Sequence, residues 1–336
     1  MRKTTLLLFL VIMLHSVTAL AGPGELMKYA PKSSKLVMGA NIAALKPSPL
    51  YAEMMALLRG RPAFGAFLSF LETEASLNVD RDVESVVVAM PDVSITPAQA
   101  NAQDTMTIIV RGKFDQKKLT DAMNTKYPGH SVTKEGTQTR HTIEAFTIAF
   151  VSDQDLVMTT GDVDFQTKSW VAVANAKESA VSNKDIAKMA AKVNLTRGMW
   201  LVGVTSQLVQ NGPKMNVAGL TVDLVSGLKV DIIGTMNSKE DVKTSLQDFE
   251  NIRKEATNPM VTMMGASPLI TNMKTGSSGL DITVTTKMTA PEMQRMVGLL
   301  KASIASGTQA IAPSVQGKGQ EAAPVAPAKG ADADFN

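Results

Sequence analysis

The chain has 336 residues, a formal charge of +3, 44% hydrophobic residues, 21 methionines and no cysteine. The absent cysteine excludes disulfides, thiolate zinc sites, iron–sulfur clusters and cysteine nucleophiles. Stability therefore rests on apolar burial, which this length permits, in about two domains of ~150 residues each.

Arg2 and Lys3 open the chain, and an apolar run follows from Leu6 to Leu14. Ala19-Leu20-Ala21 then gives small residues in an A-x-A pattern before Gly22. This layout predicts a secretory signal peptide over residues 1–21, cleaved at the site formed by Ala19, Ala21 and Gly22. The apolar run falls short of the ~20 residues that a bilayer span needs, so an uncleaved anchor is the weaker reading. No cysteine follows to carry a lipid. Losing the first 21 of 336 residues, Arg2 and Lys3 among them, leaves 315 residues with a formal charge of +1. Such a chain lacks the basic footprint of a nucleic-acid binder. Export without cysteine fits a bacterial periplasm or secretion from a bacterium. Asn194-Leu195-Thr196 matches the N-x-T glycosylation triplet, which chance alone supplies in a chain of this length.

Alternation of Leu36, Met38, Ala40 and Ile42 predicts the first strand. Residues 50–77 read as two helices, the first with Leu50, Met54, Leu57 and Leu58 at helical spacing, broken at Gly60-Arg61-Pro62. Val86, Val87 and Val88 predict a strand ended by Pro91, and the polar stretch 91–104 a loop. Met106 to Val110 predicts a strand, Asp115 an N-cap, and 116–126 a helix with Leu119 and Met123 on one face. Strands are expected near 130–135, 138–143, 146–151 and 155–160. Helices follow over 164–176 and 183–192, the latter behind Ser182-x-x-Asp185 as a capping-box variant.

Met199 to Val204 predicts a strand. Ser226-Gly227 predicts a hairpin between one strand with Leu220, Val222 and Leu224 and another with Leu228, Val230 and Ile232. Ser238 begins a helix with the stripe Val242, Leu246, Phe249 and Ile252. A second hairpin is expected between 269–275 and 279–288. Thr289-Ala290-Pro291-Glu292 is a capping box ahead of a helix carrying Met293, Met296, Val297, Leu300 and Ile304. From 305 to 336 the composition shifts to Ala, Gly, Pro and Gln, which predicts a disordered tail. Its Gly317-Lys318-Gly319-Gln320-Glu321-Ala322 matches the dinucleotide fingerprint in letters only, since no strand precedes it.

A strand–turn–helix unit recurs at 106–126, 228–254 and 280–304, and Leu36-Val37-Met38-Gly39 is similar to Leu201-Val202-Gly203. These repeats predict an α+β fold of two related halves, residues 22–180 and 196–304. Each half is expected to be a mainly antiparallel sheet covered by helices on one face, with a helical insertion at 50–77 in the first. Asn41-Ile42-Ala43-Ala44-Leu45, Ser48-Pro49-Leu50 and Gly112-Lys113-Phe114-Asp115 carry a further likeness. On these segments the chain resembles uncharacterised secreted or periplasmic bacterial proteins with duplicated α+β halves, over residues 30–180. The resemblance implies an envelope protein and brings no catalytic residues.

His130 and His141 flank a predicted hairpin. A metal there would need two more ligands, for which Glu135 and Glu144 are the local carboxylates. The plainer reading is surface histidines on a polar hairpin. Asn78-x-Asp80-x-Asp82-x-Glu84 alternates like a calcium loop, but Val83 stands where an EF-hand needs Gly and Ala89 where it needs Glu. It reads as a polar turn, and Asp153-x-Asp155 and Asp162-x-Asp164 read as turn and cap residues. No G-x-S-x-G elbow, Walker A loop or H-E-x-x-H helix is present. Methionines concentrate at Met54-Met55, Met260-x-x-Met263-Met264 and Met293-x-x-Met296. Thioethers suit copper(I), yet methionine on an apolar stripe is core filler first and a pliable binding surface second.

These observations predict no catalytic, cofactor or metal-binding residue. They predict a non-enzymatic exported binding or interaction protein of the bacterial envelope, its partner an unknown protein or hydrophobic ligand. The alternative is a periplasmic carrier of a lipid or other hydrophobic ligand, which requires a space lined by Met, Leu and Phe. A hydrolase with a non-local acidic site stands third and requires converging carboxylates.

Overall fold

The computed structural model describes residues 23–305 except 61, 92–104, 136–137, 144–145, 205–214, 255, 257 and 264. The expected signal peptide with Ala19, Ala21 and Gly22, the loop over 92–104 and the tail from 306 lie outside the described residues. So do Glu144 and Met264.

A 3-10 helix, Pro23–Tyr29, leads into β1 (Leu36–Asn41) and the short α1 (Ile42–Leu45), which Asn41 caps by accepting the Ala44 amide. The two expected helices of the insertion are α2 (Pro49–Arg59) and α3 (Pro62–Thr73). A one-turn α4 (Val79–Asp82) runs straight into β2 (Val83–Met90), which starts three residues before the valine triplet. β3 (Thr107–Gly112) leads to α5 (Gln116–Lys126), capped by Asp115 through the Lys118 amide as expected. Four strands follow: β4 (Ser131–Glu135), β5 (Gln138–Ile143), β6 (Phe146–Phe150) and β7 (Asp155–Thr160). Then come α6 (Val163–Ala174) and α7 (Lys184–Ala190). Asn183, not the Ser182 box, caps α7 by accepting the Asp185 and Ile186 amides. Ser182 is held in a 3-10 turn, where its hydroxyl donates back to the Ala176 carbonyl.

The second half has β8 (Met199–Val204), β9 (Met215–Asp223), β10 (Gly227–Met236) and α8 (Lys239–Lys254), with Ser238 accepting the Asp241 amide. The segment expected as a strand from 269 is helical first. After α9 (Pro259–Met263), Pro268 sits in the first turn of α10 (Ser267–Thr271), and β11 (Lys274–Ser278) begins only afterwards. Ser278 and Asp281 pair across the turn Gly279-Leu280, with Gly279 at φ +62°, into β12 (Asp281–Thr289). Glu292 accepts both the Thr289 amide and hydroxyl at the head of α11 (Ala290–Ala305), which holds its carboxyl below the usual range.

The α+β class and the antiparallel pairing are as expected, but the two expected sheets are one. A 12-stranded sheet runs β11-β12-β10-β9-β8-β1-β2-β3-β7-β6-β5-β4. The first strands of the two halves, β1 and β8, pair antiparallel at its middle, from Leu36 opposite Gly203 to Ala40 opposite Met199. Outward from that pair each half runs two more strands in sequence order. Each then sends a helix over one face (α5, α8) and brings its last strand back beside the third: β7 beside β3, β12 beside β10.

Helices lie on both faces, not one. The 3-10 segment, α6 and α7 press on the face that carries Val37, Val87, Ile109, Val157, Trp200 and Val202, all essentially without solvent contact. We term this the packed face. The central joint depends on a missing side chain: a Cβ on Gly39 would sit 2.3 Å from the Trp200 ring of the neighbouring strand. Gly39→Ala must displace a buried indole or the strand beneath it, and should cost ~1–3 kcal/mol in urea unfolding. Gly298→Ala, on exposed helix with open space around the new methyl, should be neutral or stabilising by up to ~1 kcal/mol.

Candidate functional site

The strand registers define the second face residue by residue. One row crosses it as Ile232–Leu220–Leu201–Met38–Val88–Ile108–Met158–Ile148–His141. The row from Ile232 to Ile148 is entirely aliphatic or thioether, and every member is half-buried. At about 4.8 Å per strand it extends over about 34 Å. On the packed face the matching positions Val37, Val87, Ile109 and Val157 are closed at 0% exposure. The contrast shows where covering stops.

Buried clusters on this open face gather around its rim. Leu45, Tyr51, Met55, Leu68, Leu224 and Met293 close one edge near the central strands. Leu119, Ala122 and Met123 of α5 cover the β5–β7 end with Ile143, Phe146, Ile148, Phe150 and Leu156. Val242, Leu246 and Phe249 of α8 cover the β10–β12 end with Met236 and Ile282. Among the described residues, every methionine in a strand lies on this open face. They are Met38, Met90, Met158, Met199, Met215, Met236 and Met288. The packed face is built from stiffer Val, Ala, Ile and Trp. Unbranched thioethers re-pack against varied shapes at little cost.

Of the methionines singled out in the sequence, Met55 and Met293 are buried in the rim cluster and Met263 is largely exposed. Asn78 caps α4 by accepting the Arg81 amide, and Asp82 accepts the Asn78 amide and an Arg81 ion pair, which holds its carboxyl low. Asp80 accepts from the Tyr51 hydroxyl and Arg59, so the calcium-like spacing is a cap and its ion pairs. Burial, then the bond to Asp80, pushes the Tyr51 phenol up. Asp162 caps α6 and Asp164 pairs with Lys168 one turn on, as expected of cap residues. Among the described residues no three His, Asp or Glu side chains converge as a metal site.

One site expectation is overturned and another is incomplete. His141 is not a surface histidine: it is 4% exposed, and its Nδ1 lies 2.9 Å from His130 Nε2. Its strand position puts it at the end of the apolar row, against the His130 ring. Asp155 is more than a turn residue, although its backbone does close the β6–β7 turn with Val151 and Ser152. It opens β7 on the packed face, 3% exposed, where Arg111 Nε and Nη2 donate to its two oxygens at 2.7 and 3.0 Å. Tyr29 donates its hydroxyl to the same carboxylate, and Arg111 also reaches Glu25. Burial, reinforced by Asp155, pushes the Tyr29 phenol up to about 12. Sequence reading missed Arg111 and Tyr29 because β3–β7 pairing brings the one, and packing of the 3-10 segment the other, to Asp155 from distant parts of the chain.

This ion pair joins β3 to β7, and its bonds to Tyr29 and Glu25 tie the 3-10 segment to the sheet. Removing one partner strands the other charge in a buried site. Arg111→Met should therefore destabilise by ~3–5 kcal/mol in chemical unfolding, and the double variant Arg111→Met/Asp155→Leu by less than that single change.

No protein-family profile matches the chain, and no curated protein matches it significantly. Solved structures of the Treponema protein TP0453 are similar in chain path. Crystal form III aligns with TM-score 0.47 and 8% identity over 81% of this chain and 96% of that one. Form I gives 0.45 and 10% over 81% and 96%, and form IV 0.45 and 8% over 80% and 96%.

Proposed function

We propose that the protein is a non-enzymatic binding protein of the bacterial envelope that holds an apolar ligand against the open face of its sheet. The observation that carries this reading is the row from Ile232 to Ile148, which is apolar on every strand and half-buried throughout, beside an opposite face that is closed. A continuous apolar strip left in contact with water is costly unless it has an occupant. Methionine lining suits an occupant of variable shape, such as an acyl chain. The envelope location rests on the signal-peptide pattern at residues 1–21. The same reading takes 22–180 and 196–304 as related halves whose junction, β1 against β8, lies under the middle of the binding strip. It favours the carrier of a hydrophobic ligand over a hydrolase, because the row carries no carboxylate.

Titration with a fluorescent long-chain fatty acid tests it. The wild-type chain should bind the probe, and Met158→Glu and Leu201→Glu should each weaken binding at least ~tenfold, about 1.4 kcal/mol. Val163→Glu, at a largely exposed position of α6 away from the strip, should leave binding unchanged. Circular dichroism of all three variants establishes that they fold. A wild-type chain that ignores the probe, or folded strip variants that bind it as tightly as wild type, would refute the reading.

A further inference from the structure

A cleft of about 490 Å³ opens between α3 and α5. Its chemistry is set by where the two helices stop. Thr73 is the last residue of α3 and Lys126 the last of α5, so both bring a C-terminal end, with its partial negative charge, to the walls. The Thr73 hydroxyl donates to the Ser69 carbonyl at 2.8 Å, and the Thr125 hydroxyl donates to the Asp121 carbonyl at 2.9 Å. Each has used its one proton and has only lone pairs left to offer. Glu74 adds a carboxylate to the same lining. All of these are acceptors, and they suit an N–H cation. Among the described residues no second and third carboxylate or histidine joins Glu74 to hold a metal ion.

The opposite charge lines the cleft as well. Lys126 lays its ammonium 4.2 Å from the centre of the Phe70 ring. Among the described residues neither Lys126 nor Glu74 has an ion-pair partner, although they share one cleft. Lys126 and the Ser69 hydroxyl are the donors available to an anion.

We infer that the α3–α5 cleft is a head-group subsite for a zwitterion: Glu74 and the two threonine oxygens receive a primary ammonium, and Lys126 and Ser69 receive the phosphate joined to it. The occupant of the strip is then a lipid with an aminoethyl-phosphate head. The lipid assignment rests on the binding reading above, whereas the head-group site rests on the cleft alone.

Two connections set the cleft at the Ile148 end of the strip. Phe70 lines the cleft and packs in the same cluster as Ile148, and both remain half-buried. Tyr127, which follows Lys126, has its carbonyl 2.8 Å from His130 Nδ1, and His130 meets His141, the last member of the row, at 2.9 Å. An acyl chain leaving a head group at Lys126 therefore starts beside apolar surface that continues through Ile148 to Met158. Glu74 and Lys126 are exposed, so their contacts are weaker than buried ones. The cleft selects among lipids, and the apolar strip supplies most of the affinity.

Calorimetric titration of the full exported chain tests this with two lysophospholipids of one acyl chain, used below their aggregation concentrations. One carries the ethanolamine head and the other the glycerol head. Wild type should prefer the ethanolamine lipid about fivefold, as a charge-assisted hydrogen bond discounted for exposure predicts. Glu74→Gln should bring the two within about twofold. Lys126→Met should weaken both about fivefold, because both carry the phosphate. Leu201→Glu should weaken both and keep the preference. Circular dichroism establishes that the variants fold. Equal affinities in wild type overturn the subsite, as does a preference that survives Glu74→Gln or a Lys126→Met chain that binds like wild type. Failure of both lipids to bind refutes the strip reading. Phosphoethanolamine without an acyl chain then decides the cleft by itself. Amide NMR shifts at residues 69–74 and 122–126 that Glu74→Gln abolishes support the subsite, and their absence overturns it.

Discussion

A 12-stranded sheet has two faces to shield, and among the described residues helices close only one of them fully. That constraint organises the molecule. The closed face takes the 3-10 segment, α6 and α7, and it holds the stiff β-branched residues, both tryptophans and the buried Arg111–Asp155 pair. Among the described residues the other face receives helices around its rim, and there the strands carry methionine. The chemical difference between the faces tracks the difference in cover. Among the described strand residues, the methionines lie on the open face, and stiffer side chains fill the closed one.

Local signals in the sequence were strong enough to place most elements. Asp115, Asp162 and Ser238 cap the helices that they precede, and Thr289 with Glu292 makes the expected bond at the head of α11. The failures are equally local in cause. Ser182 offered a capping pattern, but a 3-10 turn had already taken it, and Asn183 did the work. Residues 269–275 look strand-like because Leu269 and Ile270 are apolar, while Pro268 starts a helical turn around them.

The open face was not legible, for a reason of periodicity. Leu36-Val37-Met38, Val86-Val87-Val88, Ile108-Ile109-Val110 and Leu156-Val157-Met158 are apolar at successive positions, so alternation cannot say which side is covered. The methionines looked like core filler in sequence, and those at Met55 and Met293 are. Only the register, which sets Met38 beside Val88 and Leu201, shows that the strand methionines share one side of the sheet. His141 and Asp155 were misread because burial of a polar side chain depends on partners far along the chain.

The joint between β1 and β8 also sets the order in which the molecule can be assembled. β1 finds β2 early, since they are near in sequence, but its other edge has no partner until the second half of the chain has been made. Closing so long a loop is entropically slow. Through that interval Val37 and Met38 front an unpaired strand edge that is apolar on both sides, the kind of surface on which unfinished chains aggregate. The position that unites the finished sheet is thus the point at which the growing polypeptide most needs protection from its own copies.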